Sequence, residues 1–162
     1  SGSNASMPHH QPSNAKIKKG FCVLDFGVKY KGYCSDITRT VYVGRPGLKE
    51  KEIYNFLLKI QEEVINLAKN NKKCSELYDF ANKSLGKYKK YFTHGLGHGV
   101  GVEIHEMPNL TLNSKDRIKN NMIFTIEPGI YIPKVGGVRI EDVFVCTKRG
   151  GRKLSKINKN LS

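Results

Sequence analysis

Acidic residues interrupt the most apolar, strand-like segments of this chain, and their placement constrains the fold more than any other sequence feature. Each lies beside or between aliphatic and aromatic residues. They are Asp25, Asp36, Glu127, Glu141 and Asp142. An ionised carboxylate that is buried without a partner is very costly. The folded chain must therefore neutralise these groups by protonation, by basic partners or by metal ions.

Each carboxylate taken alone also has a simpler interpretation. Asp25 could end a strand at a turn, and Asp36 could lie on the surface of a hairpin. Glu127 precedes a Pro-Gly pair and could face solvent there. Glu141 could pair with Arg139, because residues two apart on a strand share a face. These alternatives stay open for each residue by itself.

Three histidines lie within one glycine-rich stretch of the sequence. His94 and His98 have the HxxxH spacing of a helical zinc site, but the four glycines among residues 95–101 make a helix unfavourable there. The glycine spacing also fails to match a phosphate-binding loop. Glycines beside a ligand let the main chain approach it closely. Together with nearby His105, the two histidines indicate a binding site.

Four carboxylates and one imidazole, all on strands, suit two divalent cations. The four negative charges would balance the four positive charges of the ions. A pair of ions ~3.5–4 Å apart activates a water molecule. Oxygen-rich ligation favours Mn²⁺, Co²⁺ or Fe²⁺, and Zn²⁺ is also compatible. The pattern therefore predicts a paired-metal site.

The periodicity of apolar residues predicts both strands and helices. Two β-rich runs joined by a short polar link, residues 21–27 and 33–43, predict a hairpin. Helical spacing predicts a helix over 49–70 and a second over 75–86, capped by Ser75 and stopped by Gly86. The other predicted strands are 99–104, 122–127 and 138–147, with turns at Pro108, Pro128 and Pro133 and a polar, mobile tail after Gly150.

The chain is strongly basic, with 28 lysines and arginines, 14 acidic residues and a formal net charge of +14. Such a charge raises nucleic acid or an anionic surface as a partner. The lysines are spread along the sequence and tryptophan is absent. A solvated, lysine-rich surface is therefore favoured over a nucleic-acid site. No apolar run is long enough to predict a membrane span, so no membrane partner is expected.

Four cysteines are present, and none forms a CxxC pair. They indicate neither a thiolate zinc site nor a disulfide framework. We interpret them as small core residues in a reducing compartment and expect a cytoplasmic protein. Residues 1–6 have the composition of a vector-derived remnant, and the fold prediction leaves them out.

The acidic residues and histidines resemble, in type and order, the ligands of the pita-bread metallopeptidases, which include methionine aminopeptidases, aminopeptidase P and prolidase. The first two ligands of that family are aspartates eleven positions apart, as are Asp25 and Asp36. The family's ligand histidine matches His98. Its two glutamates match Glu127 in the motif IEPG and Glu141 in the motif VRIED. The resemblance runs from about residue 7 to residue 147.

For the fold, the resemblance implies an α+β domain of the pita-bread (creatinase/aminopeptidase) type, in which a curved antiparallel sheet carries two helices on one face. The family's catalytic domain normally has two more helices and a strand before the first aspartate. Residues 7–162 are therefore expected to form a partial catalytic domain, truncated on its N-terminal side. Faces left exposed in this way imply self-association into a homo-oligomer.

The resemblance also implies a role for each site residue. Asp36 and Glu141 would bridge both ions, Asp25 would complete the coordination of one, and His98 with Glu127 that of the other. Glu127 would also be the catalytic proton acceptor.

Four further residues would serve the substrate or the ligands. His94 and His105 would act in catalysis by binding the substrate and stabilising the tetrahedral gem-diolate. Arg139 would orient a substrate carboxylate or Glu141, and Thr38 would support a ligand.

Within the family, the motifs SDITRT, VEIHE and GIYIP, the last followed by GGVR, resemble the prolidase and aminopeptidase P branch. The implied activity is two-metal hydrolysis of the Xaa-Pro bond in dipeptides or at peptide N-termini, so a proline-containing dipeptide or peptide is the implied partner. Two alternatives stay open: a methionine aminopeptidase-like activity, and a non-catalytic pita-bread module that binds a partner. Whether this chain is active by itself also stays open.

Overall fold

Four strands, two α-helices and seven more strands follow one another along residues 1–161, which the computed structural model describes. The strands are β1 (Gly20–Phe26), β2 (Lys29–Tyr30), β3 (Tyr33–Cys34), β4 (Ile37–Val43), β5 (Gly97–Gly99), β6 (Glu106–Leu110), β7 (Ile123–Ile126), β8 (Gly129–Ile132), β9 (Gly136–Arg139), β10 (Asp142–Thr147) and β11 (Gly150–Lys153), and the helices are α1 (Leu48–Leu67) and α2 (Cys74–Ser84). The architecture is α+β, with antiparallel pairing throughout. Neither α-helix in this described part is long and apolar enough to cross a membrane.

The predicted hairpin is confirmed. β1 pairs antiparallel with β4, and the register places Asp25 opposite Thr38. A smaller hairpin, β2 with β3, forms the connection between them. Its turn residues Lys31 and Gly32 both have positive φ angles, 49° and 84°, which is the backbone that a tight two-residue hairpin turn requires. The connection is therefore structured and carries the chain from the first predicted aspartate to the second.

A five-stranded sheet with the order β11-β10-β7-β5-β6 forms the other half of the molecule. α1 and α2 pack against each other and against this sheet. The buried side chains of α1 recur at helical spacing, as predicted for this helix, and meet the sheet through Phe124 and Phe144 in one apolar core. The core thus lies between the helices and the sheet, and the ends of β7 and β10 are held rigidly beside it.

Several local predictions are wrong. α2 begins at Cys74 with Lys73 as its N-cap, not Ser75, and Gly86 starts a short 3-10 helix after the helix ends at Ser84. Pro108 lies inside β6, where a turn was expected. The predicted strand 138–147 is two strands, β9 and β10, with a break at Ile140 and Glu141. Most of the segment 99–104 is a series of bends. The pairing of β5 with β6 shifts register between His98 and Gly99, an irregularity that local sequence pattern does not predict.

Both ends of the chain take part in the fold. Gly2–Ser6, interpreted from composition as part of a vector-derived remnant, form a 3-10 helix that packs on β9 and buries Ala5. The tail predicted to be mobile instead forms β11 and continues along β10, where Leu154 donates a backbone hydrogen bond to Val143. Pairing with β10 explains this order, because it satisfies main-chain groups that sequence polarity alone does not reveal.

Candidate metal centre

The five residues predicted to bind metal lie at strand ends that meet at one place. They are Asp25 in β1, Asp36 just before β4, His98 in β5, Glu127 just after β7 and Glu141 just before β10. The hairpin and the larger sheet are joined here by a hydrogen bond from the backbone N–H of Glu141 to the carbonyl of Thr38, 3.1 Å long. Strand ends are suitable for such a site because their side chains project beyond the regular ladder while the strands behind them stay fixed.

Three of these residues form a tight cluster. Asp36, His98 and Glu141 each offer one ligand atom, and these atoms lie within 4.8 Å of one another. Nε2 of His98 is 3.4 Å from Oδ2 of Asp36 and 3.6 Å from Oε1 of Glu127. The imidazole therefore lies between two carboxylates that come from different halves of the molecule.

Asp25 lies beside this cluster and is bound to arginine. Its Oδ2 accepts a hydrogen bond of 2.6 Å from Nη2 of Arg139. Nε of the same guanidinium donates to the hydroxyl of Thr38, which in turn donates to Oε2 of Glu141 over 2.6 Å. Arg139 thus touches Asp25 directly and Glu141 only through Thr38. The simpler interpretation of Glu141, a direct pair with Arg139, is wrong in this structure.

Three of the carboxylates stand in an electrostatic environment that opposes their ionisation. Burial, followed by the charge of Asp25, raises the pKa of Asp36 to about 6. Burial and the charge of Asp36 raise the pKa of Glu141 to about 8. Burial and the charge of Glu141 raise the pKa of Glu127 well above its usual value of 4.5. The site therefore lacks enough positive charge of its own to hold all its carboxylates ionised.

The residues fit a divalent metal centre. Oε1 of Glu141 is buried and has no hydrogen-bond partner within residues 1–161. An orphaned buried carboxylate oxygen is costly unless a cation or proton meets it. The donors nearby are carboxylate oxygens and one imidazole nitrogen, a set that suits borderline and hard divalent ions. Burial also favours metal binding by the deprotonated imidazole, since it lowers the pKa of His98.

The remaining predicted histidines lie next to this centre. The rings of His105 and His98 are in edge-to-face contact, with centroids 4.2 Å apart. Nε2 of His94 is 2.8 Å from the hydroxyl of Tyr131, and its Nδ1 is 2.6 Å from the carbonyl of Gly95. Burial lowers the pKa of His94 to about 4, so this ring is neutral. Through these two contacts, both ring nitrogens of His94 are hydrogen-bonded within the protein.

The glycine-rich stretch has a steric purpose. A side chain at Gly97 would collide with the backbone carbonyl of Thr125, and one at Gly99 with the carbonyl of Met107. Only glycine lets β5 approach its two neighbouring strands this closely. This packing places His98, between the two glycines, against the carboxylates of the centre.

A cavity of about 400 Å³ opens beside Asp25 and Arg139. Its lining also includes Tyr131, and the N-terminal residues Pro8 and His9 close one side of it. The carbonyl of Pro8 accepts a hydrogen bond from Arg139, 3.1 Å long. Space for a small ligand therefore adjoins the centre, walled by the guanidinium and the phenol.

Sequence reasoning overlooked three residues that support the centre. Tyr131 bonds both His94 and Arg139. Gln61 bonds the carbonyls of Ile126 and Ile140 from the inner face of α1. Arg39 pairs with Asp142. This pair neutralises Asp142, the one carboxylate within an apolar segment for which the sequence predicted no role. Gln61 could have been recognised from the sequence, because it is a polar residue on the inward face of the predicted helix, between Ile60 and Val64.

Comparisons with known proteins agree with this geometry. The profile described as Metallopeptidase family M24 matches residues 1–148, a range that includes the first six residues. A protein of Pyrococcus horikoshii named Xaa-Pro dipeptidase is 43% identical over 164 residues, which cover 99% of this chain and 47% of that relative.

Solved structures show the same likeness. The crystal structure of the prolidase from Pyrococcus horikoshii OT3 aligns with a TM-score of 0.94 at 43% identity, covering 99% of this chain and 47% of that one. The X-Pro aminopeptidase from Thermotoga maritima aligns with a TM-score of 0.94 at 34% identity, covering 99% and 46%. The chain thus spans less than half the length of the relatives it matches.

Proposed function

Because this chain belongs to metallopeptidase family M24, whose pita-bread fold it shares, we propose that it is the catalytic part of a peptidase that hydrolyses the Xaa-Pro bond of dipeptides or peptide N-termini. The observation that carries the proposal is the cluster of Asp36, His98 and Glu141, with Glu127 3.6 Å from His98 and Asp25 close enough to raise the pKa of Asp36. Within residues 1–161, one buried oxygen of Glu141 has no hydrogen-bond partner. The relatives named Xaa-Pro dipeptidase support the substrate class.

Two divalent ions would be held by the five predicted ligands, with Mn²⁺ or Co²⁺ favoured and Fe²⁺ or Zn²⁺ compatible. The proposed ligands are Asp25, Asp36, His98, Glu127 and Glu141. When bound, the ions supply Lewis-acid activation of water and of the scissile carbonyl. The choice among the ions follows from oxygen-rich ligation.

Glu127 is the proposed catalytic proton carrier. It lies just after β7, mostly buried, with Oε1 3.6 Å from His98. A carboxylate in this position can accept a proton from the attacking water and deliver it to the leaving proline nitrogen. Its surroundings already favour the protonated form, because burial raises its pKa.

His94, His105 and Arg139 are proposed to serve the substrate. His105 lies against His98 at the exposed side of the centre, where its ring can reach a bound peptide. His94 would have to exchange its bond to Tyr131 for one to the substrate, since both of its ring nitrogens are engaged. Arg139 faces the 400 Å³ cavity and holds Asp25 in place.

The test is hydrolysis of an Xaa-Pro dipeptide by the Mn²⁺-loaded chain, compared with its variants. Asp36→Asn and Glu141→Gln should each abolish metal-dependent turnover while leaving the far-UV circular dichroism similar. Glu62→Gln, an exposed change on α1, is the matched control and should leave turnover unchanged. Full turnover in either ligand variant would refute the site assignment.

A separate variant tests the substrate histidine. His94→Ala should lower turnover and retain the metal content, which elemental analysis measures. Loss of both ions would instead identify His94 as a residue that the metal centre needs for its assembly.

The same assay decides between the alternatives. Cleavage of peptides with methionine first and no proline second would favour a methionine aminopeptidase-like activity. Two bound ions without hydrolysis of any peptide would favour a non-catalytic binding module. The fit of the donor set favours an active centre over that module, because every proposed ligand position carries a side chain able to bind a metal ion.

Cytoplasmic location and self-association belong to this proposal as well. Four free cysteines, three of them buried, support a reducing compartment. Exposed apolar side chains around one cavity, among them Phe26, Val28 and Ile123, support association with a second copy of the chain. Binding of nucleic acid is not expected.

A further inference from the structure

One fully buried glutamine joins two segments that carry proposed metal ligands. Gln61 projects from α1, and its Nε2 donates to the carbonyl of Ile126 over 2.9 Å and to the carbonyl of Ile140 over 3.0 Å. Ile126 immediately precedes Glu127, and Ile140 immediately precedes Glu141. The amide group therefore holds the main chain next to both glutamates.

The glutamine acts where the strand ladder is interrupted. β7 and β10 pair as far as Ile126 opposite Asp142, and the pairing resumes between β8 and β9 at Gly129 opposite Arg139. At this interruption the carbonyls of Ile126 and Ile140 face the same amide, and carbonyls cannot bond one another because both are acceptors. An amide nitrogen carries two N–H donors and can satisfy both. Gln61 thus bridges the strands at the interruption that contains both glutamates.

The C-terminal tail sets the orientation of this amide. Nζ of Lys159 donates to Oε1 of Gln61 over 2.8 Å and lies 3.2 Å from Oδ2 of Asp142. An ammonium group has hydrogen-bond donors and no acceptor. Lys159 can therefore bond the oxygen of the amide but not its nitrogen. The nitrogen must then face the two carbonyls. Lys159 is itself held in place, since its carbonyl accepts a bond from the hydroxyl of Tyr54.

We propose that Gln61 is a positioning residue that sets the separation of Glu127 and Glu141, and that Lys159 keeps its amide in the required orientation. The inference rests on the proposed function, in which both glutamates hold metal ions. Groups that orient metal ligands typically change metal affinity by roughly 10- to 100-fold when they are removed. Gln61 acts on the backbone next to the ligands, and we expect an effect of that size.

The test is Mn²⁺ binding by the chain and its Gln61→Met variant, measured by titration calorimetry and by electron paramagnetic resonance. Methionine keeps the length of the side chain and removes both donors and the acceptor. We expect Mn²⁺ affinity to fall at least about 10-fold and the spectrum of a coupled ion pair to weaken or disappear. A role confined to stability would lower the unfolding temperature and leave affinity and spectrum unchanged, which would overturn the inference.

Variants at Lys159 keep the inference testable even where Gln61→Met does not fold. Lys159→Met should weaken Mn²⁺ binding in the same direction, and Lys159→Arg should restore part of it, because arginine also donates to the amide oxygen. Lys156→Met, an exposed change on the same tail, is the matched control. Equal Mn²⁺ binding in Lys159→Met and Lys156→Met would contradict the role of Lys159.

The wild-type titration separates the two proposals. Failure of the unmodified chain to bind Mn²⁺ would contradict the proposed function, and the positioning role would fall with it. Binding of two ions by the wild type with unchanged binding by Gln61→Met would leave the proposed function intact and overturn the positioning role alone.

Discussion

Tyr131 shows how one hydroxyl group can determine the state of a neighbouring histidine. Nη1 of Arg139 donates to this hydroxyl over 2.8 Å. Burial raises the pKa of Tyr131 above its usual value of 10, so the phenol keeps its single proton. That proton is free to be donated to Nε2 of His94. Nδ1 of His94 must then carry the ring proton and donate it to the carbonyl of Gly95, which lies 2.6 Å away.

Removing this hydroxyl should therefore affect both the histidine and the arginine. In Tyr131→Phe, His94 and Arg139 each lose a buried partner, at about 1–3 kcal/mol for a group left unsatisfied. We expect kcat for Xaa-Pro hydrolysis to fall about 10-fold, equivalent to ~1.4 kcal/mol, and the midpoint of urea unfolding to decrease. Tyr30→Phe, at an exposed hairpin position, is the control. Unchanged kcat in Tyr131→Phe would show that the network does not serve catalysis.

Arg39 joins three elements behind the proposed metal centre: β4, β10 and the C-terminal tail. Its guanidinium donates to the carboxylate of Asp142, to the carbonyls of Thr38 and Glu141, and to the carbonyls of Ile157 and Asn158. Both members of the pair with Asp142 are buried, and their closest atoms are 2.5 Å apart. Arginine has five N–H donors in a fixed plane, and Arg39 makes five hydrogen bonds with them. Two of these bonds hold the tail against β4 at Ile157 and Asn158.

Breaking this buried pair should destabilise the fold strongly. Arg39→Met leaves Asp142 buried with Lys159 as its remaining cation, and loss of one partner from a buried pair costs about 3–5 kcal/mol. Urea unfolding followed by circular dichroism measures the change. Lys59→Met removes an exposed pair with Glu63, 3.9 Å apart, and should cost less than about 1 kcal/mol. Similar losses in the two variants would contradict the structural role given to Arg39.

At the scale of the whole molecule, the carboxylate cluster links stability to pH and to metal. The pKa of Glu141 is about 8 in the folded chain, compared with a usual value of 4.5. The folded state therefore binds this proton more tightly than the unfolded state. The stability that this proton contributes is complete below pH 4.5, the usual pKa that applies to the unfolded chain. It is lost as the pH rises through about 8, the pKa in the folded chain. His94 acts in the opposite direction, since its pKa is lowered from 6.5 to about 4, but its contribution is complete above pH 6.5.

We therefore expect the metal-free chain to lose roughly 1–2 kcal/mol of stability between pH 6.5 and 8, in keeping with about 1.4 kcal/mol for each unit of pKa difference. Thermal unfolding in a chelator measures this loss. Saturating Mn²⁺ should remove it, because the ion replaces the proton, and Glu141→Gln should flatten the pH dependence without metal. A metal-free chain that is equally stable at pH 6.5 and 8 would contradict the assignment of Glu141 as a buried, proton-binding carboxylate.

Elements with strong local patterns could be predicted from the sequence. The hairpin follows from two β-rich runs, and α1 from a long apolar periodicity, because period and residue type act over a few neighbouring residues. The irregular stretch after Gly99 and the strand that contains Pro108 could not be predicted in this way. Their conformation depends on pairing with strands that lie elsewhere in the sequence.

The amino-acid sequence by itself determined which residue types could form the centre and their order along the chain. Asp25, Asp36, Glu127 and Glu141 stand out because charged groups are unfavourable inside apolar strands, and His98 stands out by its place in a glycine-rich stretch. Only the tertiary structure decided how each interrupting carboxylate is neutralised. Asp142 forms ion pairs with Arg39 and Lys159, whereas Oε1 of Glu141 has neither an ion pair nor a hydrogen bond among the residues that the structure describes. The physical reason is distance along the chain: the partners are about a hundred residues apart, and only folding brings them into contact.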